Sequence, residues 1–303
     1  MASFEEDNEP VIPQKLFVLA NPSAGKTGAI MSLAAAGYNV RILDMDSGWH
    51  VLRDYVKNPA SPYRRANPPF WTAEQAATLH KRVHWETLTD DWRKSETGVL
   101  IPKAATAWPR ALSILSKWPN DFGPISSWTA NEVLVIDSLT FLSRAAFRYI
   151  LSLNNRVGKK PMDSDYGAAQ DQILSLIEML YSDSIKCHVI YNCHIKQKRE
   201  GFEKRDDGKE TRTEILSKGF PETVGQALSY ISRYVNTVLS IETTGFGRAT
   251  RRQIITQPTE ILNLKTIAPL RVKPSYPLET GLLQYFLDTG TAMPTTEGNT
   301  ANV

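Results

Sequence analysis

Cysteine is almost missing from this chain: 303 residues contain two, Cys187 and Cys193, both in one apolar stretch. With no further cysteines to build a framework, a secreted disulfide scaffold is excluded and a reducing compartment is expected. A surplus of one charge sign is lacking too, since 35 Lys and Arg face 32 Asp and Glu for a net charge of +3. Any nucleic-acid contact must therefore come from a local patch. No apolar run approaches the roughly 18 residues of a membrane span. The opening MASFEEDNEP has neither the basic start nor the apolar centre of a signal peptide. The expectation is a cytoplasmic protein without membrane contact. Internal repeats are absent as well. What the chain does have is 42% hydrophobic residues, enough for a sizeable core.

Apolar, β-branched runs alternate with helix-like segments, which predicts a parallel sheet with crossover helices. The strands expected are Leu16–Ala20, Asn39–Asp44, His84–Leu88, Val133–Asp137 and Cys187–Asn192. The helices expected are Lys26–Ala36, Ala104–Trp118, Leu139–Asn154 and Tyr166–Ser182. Residues 58–73 are proline-rich and read as an irregular insertion. Residues 196–220, KQKREGFEKRDDGKETRTEILSKGF, mix both charge signs and read as a long loop. Beyond them, Gln226–Ser232 suggests a short helix, and Tyr234–Glu242, Arg252–Thr256 and Ile261–Leu264 suggest strands of a β-rich C-terminal portion. Residues 1–13 read as a flexible lead, 14–286 as one domain and 287–303 as a disordered tail.

KLFVLANPSAGKT, residues 15–27, has the parts of a phosphate-binding loop. Such a loop needs a launching strand, backbone N–H groups curled around phosphate oxygens, a lysine for the β- and γ-phosphates and a hydroxyl for Mg²⁺. Leu16–Ala20 supplies the strand. Asn21, Pro22, Ser23, Ala24, Gly25, Lys26, Thr27 and Gly28 supply the loop and the first turn of a helix, with Lys26 the cation and Thr27 the hydroxyl. Ala20 stands where the usual pattern has its first glycine, which is tolerable if its φ is negative. The competing reading is a chance Gly-Lys-Thr in an ordinary strand-turn-helix unit.

Magnesium on such a loop calls for a carboxylate at the end of a neighbouring strand. NEVLVIDSLT offers Asp137 after a run buried on both faces, with capping of the next helix as the plainer role. Hydrolysis also requires a group that activates water. Asp44 and Asp46, in VRILDMDSGW, are the candidates, and alternation in a strand would point both to one side.

Together with CHVIYNCHIKQK, these segments and their order resemble the RecA-like ATPases, most closely the phage-encoded RecA paralogues of single-strand annealing, often described as phage AAA-type nucleotide-binding ATPases. The resemblance implies an α/β fold: a RecA-like P-loop NTPase core, mostly parallel sheet flanked by helices, with a β-rich C-terminal portion. It implies ATP and Mg²⁺ as cofactors. It sets Asp46 where the family usually has a catalytic glutamate, and His194 where the archetypal recombinase has a γ-phosphate-sensing glutamine. Cys187, His188, Cys193 and His194 raise the thought of zinc, but their spacing matches no common structural pattern.

The resemblance also implies DNA contact beside the sensor strand. Lys196, Lys198, Arg199, Lys204 and Arg205 would meet phosphates and Phe202 would stack on a base, against the alternative of a solvated charged loop. Arg248, Arg251 and Arg252 in GFGRATRRQ are candidates for an arginine reaching the nucleotide of a neighbouring subunit, for a DNA-contacting hairpin, or for an exposed turn. The expected partners are single-stranded DNA and further copies of the chain in a filament or ring, with a single-strand-binding or replication protein as a possible third. Two alternatives stay open: a motor or helicase-loader ATPase acting through protein partners, and a nucleotide-gated binding module that does not hydrolyse.

Overall fold

A computed structural model describes residues 12–50, 52–53, 79, 81–94, 97–98, 100–199, 203–204, 210–211, 216–224, 231–245 and 250–294. The proline-rich stretch 58–73 and most of the expected helix Gln226–Ser232 lie outside them. Among the described residues no helix is long and apolar enough to cross a membrane.

The chain begins with β1 (Lys15–Ala20), whose residues are all buried. Helices α1 (Lys26–Ala29) and α2 (Met31–Ala35) follow. Ile30 between them keeps helical angles (φ −64, ψ −27), so the expected single helix survives as one axis with a tightened turn. Next come β2 (Asn39–Asp44) and β3 (Val83–Thr87), then a small hairpin of β4 (Asp91–Lys94) and β5 (Leu100–Ala104). That hairpin takes Ala104 from the expected helix, and α3 runs Ala107–Ser116, its first N–H bonded by Asp90 Oδ1 at 3.0 Å. After β6 (Glu132–Asp137) and α4 (Leu139–Leu153), α5 runs Asp163–Tyr181. It starts earlier than expected because Asp165 accepts the Met162 N–H at 2.8 Å and pairs with Arg156.

The main sheet is ordered β13-β12-β11-β1-β7-β6-β2-β3, with β7 (His188–Arg199), β11 (Thr237–Thr244), β12 (Arg251–Ile255) and β13 (Ser275–Pro277). From β11 to β3 every pairing is parallel, and β12 and β13 join antiparallel at one edge. Helices cover both faces. One core layer gathers Trp108, Leu142, Ile177 and Tyr191. The other gathers Ile30, Leu33, Ile254 and Phe286 of the last helix, α6 (Leu278–Asp288).

Three expectations change. β7 does not stop at Asn192 but runs to Arg199, and β10 (Leu216–Pro221) pairs with it antiparallel, while β8 (Glu203–Lys204) pairs with β9 (Glu210–Thr211). The expected long loop is thus a ribbon at its base, in a stretch whose charged sequence carries no apolar alternation to read. Ile261–Leu264 forms no strand; Leu262 makes only an isolated bridge to Gly219. The expected boundary at residue 286 falls inside α6, and the chain stays packed beyond it, with Tyr38 Oη donating to Ala292 O at 2.8 Å and Gln14 Nε2 to Thr291 Oγ1 at 3.1 Å.

Candidate functional site

The C-terminal ends of the central strands converge on one spot. Register lines up Asp44 of β2, Asp137 of β6 and Asn192 of β7 as direct neighbours, and pairs Ala20 of β1 with His194 of β7. Ligands of open α/β sheets collect at such ends. Ala20 is a buried strand residue paired on both sides, with no positive φ, so a methyl group there costs nothing. Beyond it the loop needs left-handed backbone at Ser23 (φ 63) and Gly25 (φ 105). A Cβ on Gly25 would stand 2.6 Å from Leu278 Cδ2.

Within the site, Thr27 Oγ1 donates to Asp137 Oδ2 at 2.6 Å. The Asp137 carboxyl is held above the usual range by burial, a pull that Thr27, Asn192 and Lys26 oppose. Lys26 Nζ donates to Ala20 O at 3.3 Å and Asn21 O at 3.2 Å, and stands 3.4 Å from His194 Nδ1. An ammonium only donates, so Nδ1 accepts and the imidazole proton sits on Nε2. Burial, then the Lys26 charge, lowers the His194 pKa and keeps that ring neutral. Its backbone is fixed from two sides: His194 N–H donates to Thr140 Oγ1 at 3.0 Å, and its carbonyl accepts from Glu222 N–H at 2.7 Å. Phe141 meets its ring edge-on.

The two candidate water-activating acids separate. β2 ends at Asp44, so the expected same-side alternation with Asp46 does not arise. Asp44 is 1% exposed and both oxygens are engaged, Oδ1 by the Gly48 N–H at 2.9 Å and Oδ2 by Thr87 Oγ1 at 3.2 Å. It builds the turn. Asp46 emerges from that turn, keeps access to solvent and lines the cavity. Desolvation in the cleft, then the neighbouring Asp137 and Asp44, lifts its pKa to about 6.

A cavity of about 510 Å³ brings together Pro22, Ser23, Gly25, Lys26, Thr27 and Gly28 with Asp46, Asp137 and His194. Asn21 and Ala24 border an adjoining cavity of about 490 Å³ on the β11 side. The donor set suits a nucleotide and its divalent cation: hydroxyl, carboxylates and a lysine around one space. Gly48 adds to the fit, because a Cβ there would come within 3.0 Å of Asp46 Oδ1 and 3.4 Å of Thr27 Oγ1, intruding on that cradle.

Among the expected DNA contacts, Lys196 is exposed, and Lys198 and Arg199 continue the same strand. Lys204 is in β8, while Phe202 and Arg205 lie outside the described residues. Arg248 lies outside them too. Arg251 is exposed on β12, and Arg252 borders the phosphate-loop cavity of its own chain. Among the described residues no group of three or more His, Cys, Asp or Glu side chains is placed to hold one metal ion. Sequence reasoning missed Gly48, Thr140, Phe141 and the own-chain position of Arg252. Of these, only a glycine directly after the acidic turn carried a local signal.

A P-loop strand flanked by β7, with the Asp137 strand one place further out and the Asp44 strand beyond, has the order of a RecA-like P-loop NTPase core. Residues 12–265 match the AAA domain family, and the chain belongs to that family. No curated protein matched. Among solved structures, the chain is similar to the KaiC-like protein PH0186 of Pyrococcus horikoshii OT3 (10% identity, TM-score 0.40, 87% of this chain and 84% of that one). It is also similar to the RadB recombinase (14% identity, TM-score 0.42, 89% and 90%). A third is an ATPase of a type III secretion system of pathogenic bacteria (13% identity, TM-score 0.39, 76% and 52%).

Proposed function

We propose that this protein binds and hydrolyses ATP with Mg²⁺ and couples the cycle to single-stranded DNA, as an oligomer serving phage-type recombination or annealing. The observation that supports it is the continuity of β7. One strand carries Asn192 and His194 into the nucleotide site and runs on, unbroken, to Lys196, Lys198 and Arg199. A change felt at His194 is thereby delivered to a basic ribbon.

Lys26 makes only long bonds to its own loop, at 3.2 and 3.3 Å, which phosphate oxygens would outcompete as charged acceptors. Thr27 and Asp137 would hold the cation between them. The bound Mg²⁺ would supply charge neutralisation on the phosphates. Asp46, ionised at neutral pH and open to solvent, would orient water and take its proton. His194, neutral with its proton on Nε2, would donate to the terminal phosphate and sense its departure.

The test is steady-state ATP turnover of wild type and Asp137→Ala with and without single-stranded DNA, alongside binding at several salt concentrations. DNA-stimulated turnover, lost in the variant, together with salt-sensitive binding is expected. Equal turnover with and without DNA, and no salt-sensitive binding, overturns the DNA half. No turnover by wild type overturns the enzymatic half.

A further inference from the structure

Arg252 is mounted on the sheet and not on a free loop. It lies in β12, opposite Thr243 of β11, and β11 is paired directly to the phosphate-loop strand β1. Alternation sends Arg252 and Ile254 to one face, and Ile254 packs in the core layer that also holds Leu278, the residue against Gly25. The Arg252 stem accordingly passes over the phosphate loop, with Cδ 3.4 Å from where a Cβ on Gly25 would be.

Arg252 Nε is buried without a hydrogen-bond partner, and among the described residues the guanidinium makes no ion pair. Lys26, Asp46, Asp137 and His194 share its cavity, but Asp137 is already bonded to Thr27. A buried Nε–H without an acceptor is costly, and an incoming anion removes that cost.

We propose that Arg252 binds the phosphates of the nucleotide held by its own subunit, folding over Gly25, and does not reach across to a neighbour's nucleotide. The proposal rests on the ATP reading above. It assigns the chain a second phosphate-binding cation from a part of the sheet far from the phosphate loop in sequence. A planar fork of N–H donors also suits bidentate contact with two phosphate oxygens.

The experiment uses the full chain diluted until sedimentation shows monomers, with a fluorescent ATP analogue and Mg²⁺ as the probe. Wild type, Lys26→Ala, Arg252→Ala, Arg252→Lys and Arg252→Gln are compared. Arg252→Ala should weaken binding by about 10-fold or more, with lysine recovering part of the loss and glutamine none. If Arg252→Ala fails to fold, the lysine and glutamine variants decide, since both keep an aliphatic stem and only lysine keeps the charge. In a second arm, Lys26→Ala and Arg252→Ala chains are mixed at assembling concentration and ATP turnover is measured. Recovered turnover means the arginine acts across subunits and overturns the proposal, as does wild-type affinity of all Arg252 variants in the monomer. Failure of wild type itself to bind the analogue removes the ATP reading, and this inference with it. Wild-type binding with undiminished Arg252 variants sinks only the inference.

Discussion

Thr27 and Asp137, 110 residues apart in sequence, meet through a 2.6 Å hydrogen bond between the start of α1 and the end of β6. The bond ties the phosphate loop to the strand two places away in the sheet. It also stabilises a carboxylate that burial otherwise disfavours.

Replacing Asp137 by Asn should therefore separate stability from activity. The ligand-free variant loses a buried charge, and its melting temperature should be equal to or above that of wild type. Its ATP turnover should fall by about 100-fold or more, because several kcal/mol of charge stabilisation depend on the carboxylate. Calorimetry and a phosphate-release assay on one preparation check both.

Gly25→Ala should destabilise the fold as well as the site. The residue sits at φ 105, and its new methyl would stand 2.6 Å from Leu278 Cδ2. Backbone strain alone costs on the order of 1–3 kcal/mol. Adding Leu278→Ala should relieve the clash but leave the backbone strain, so urea midpoints of the double variant should rank below wild type.

At His194, glutamine and alanine should part company. His194→Gln keeps a donor and should retain turnover that responds to single-stranded DNA. His194→Ala should still bind ATP but lose that response. Equal DNA stimulation of the two variants would remove the sensing role.

His188 predicts an acid limit to stability. It is fully buried, its Nδ1 accepting from Gln14 N–H at 2.9 Å, so Nε2 must carry the proton it gives to Ala130 O at 2.9 Å. Burial lowers its pKa to about 4 from an ordinary 6.5. The unfolded chain thus binds the proton first. Stability from the neutral ring is present above pH 6.5 and is lost as pH falls towards 4, on the order of 3 kcal/mol in all. His188→Asn should be less stable at neutral pH but flatter between those limits in urea titrations.

Much of this molecule was legible in sequence because parallel strands buried on both faces read as unbroken apolar runs. VLVID and LFVLA gave their strands to within a residue. What was illegible depended on partners distant in sequence. β7 beyond Ile195 reads KQKR, with no apolar alternation, so only its pairing with β10 reveals a strand there. α6 was missed in a portion read as β-rich, although it is Leu278 of that helix that abuts Gly25. Asp44 and Asp46 were indistinguishable until Thr87 and Gly48 occupied the first and left the second open.

The unbroken β7 has a mechanical consequence. From His194 to Arg199 a strand covers about 17 Å at ~3.3 Å per residue. A tilt of about 10° at the nucleotide end would then swing the far end by about 3 Å. That is the reach of one hydrogen bond. Under the function proposed above, the ribbon would act as a lever arm pivoting beside the Thr140 hydroxyl, turning a sub-ångström event at a phosphate into the making or breaking of a contact outside.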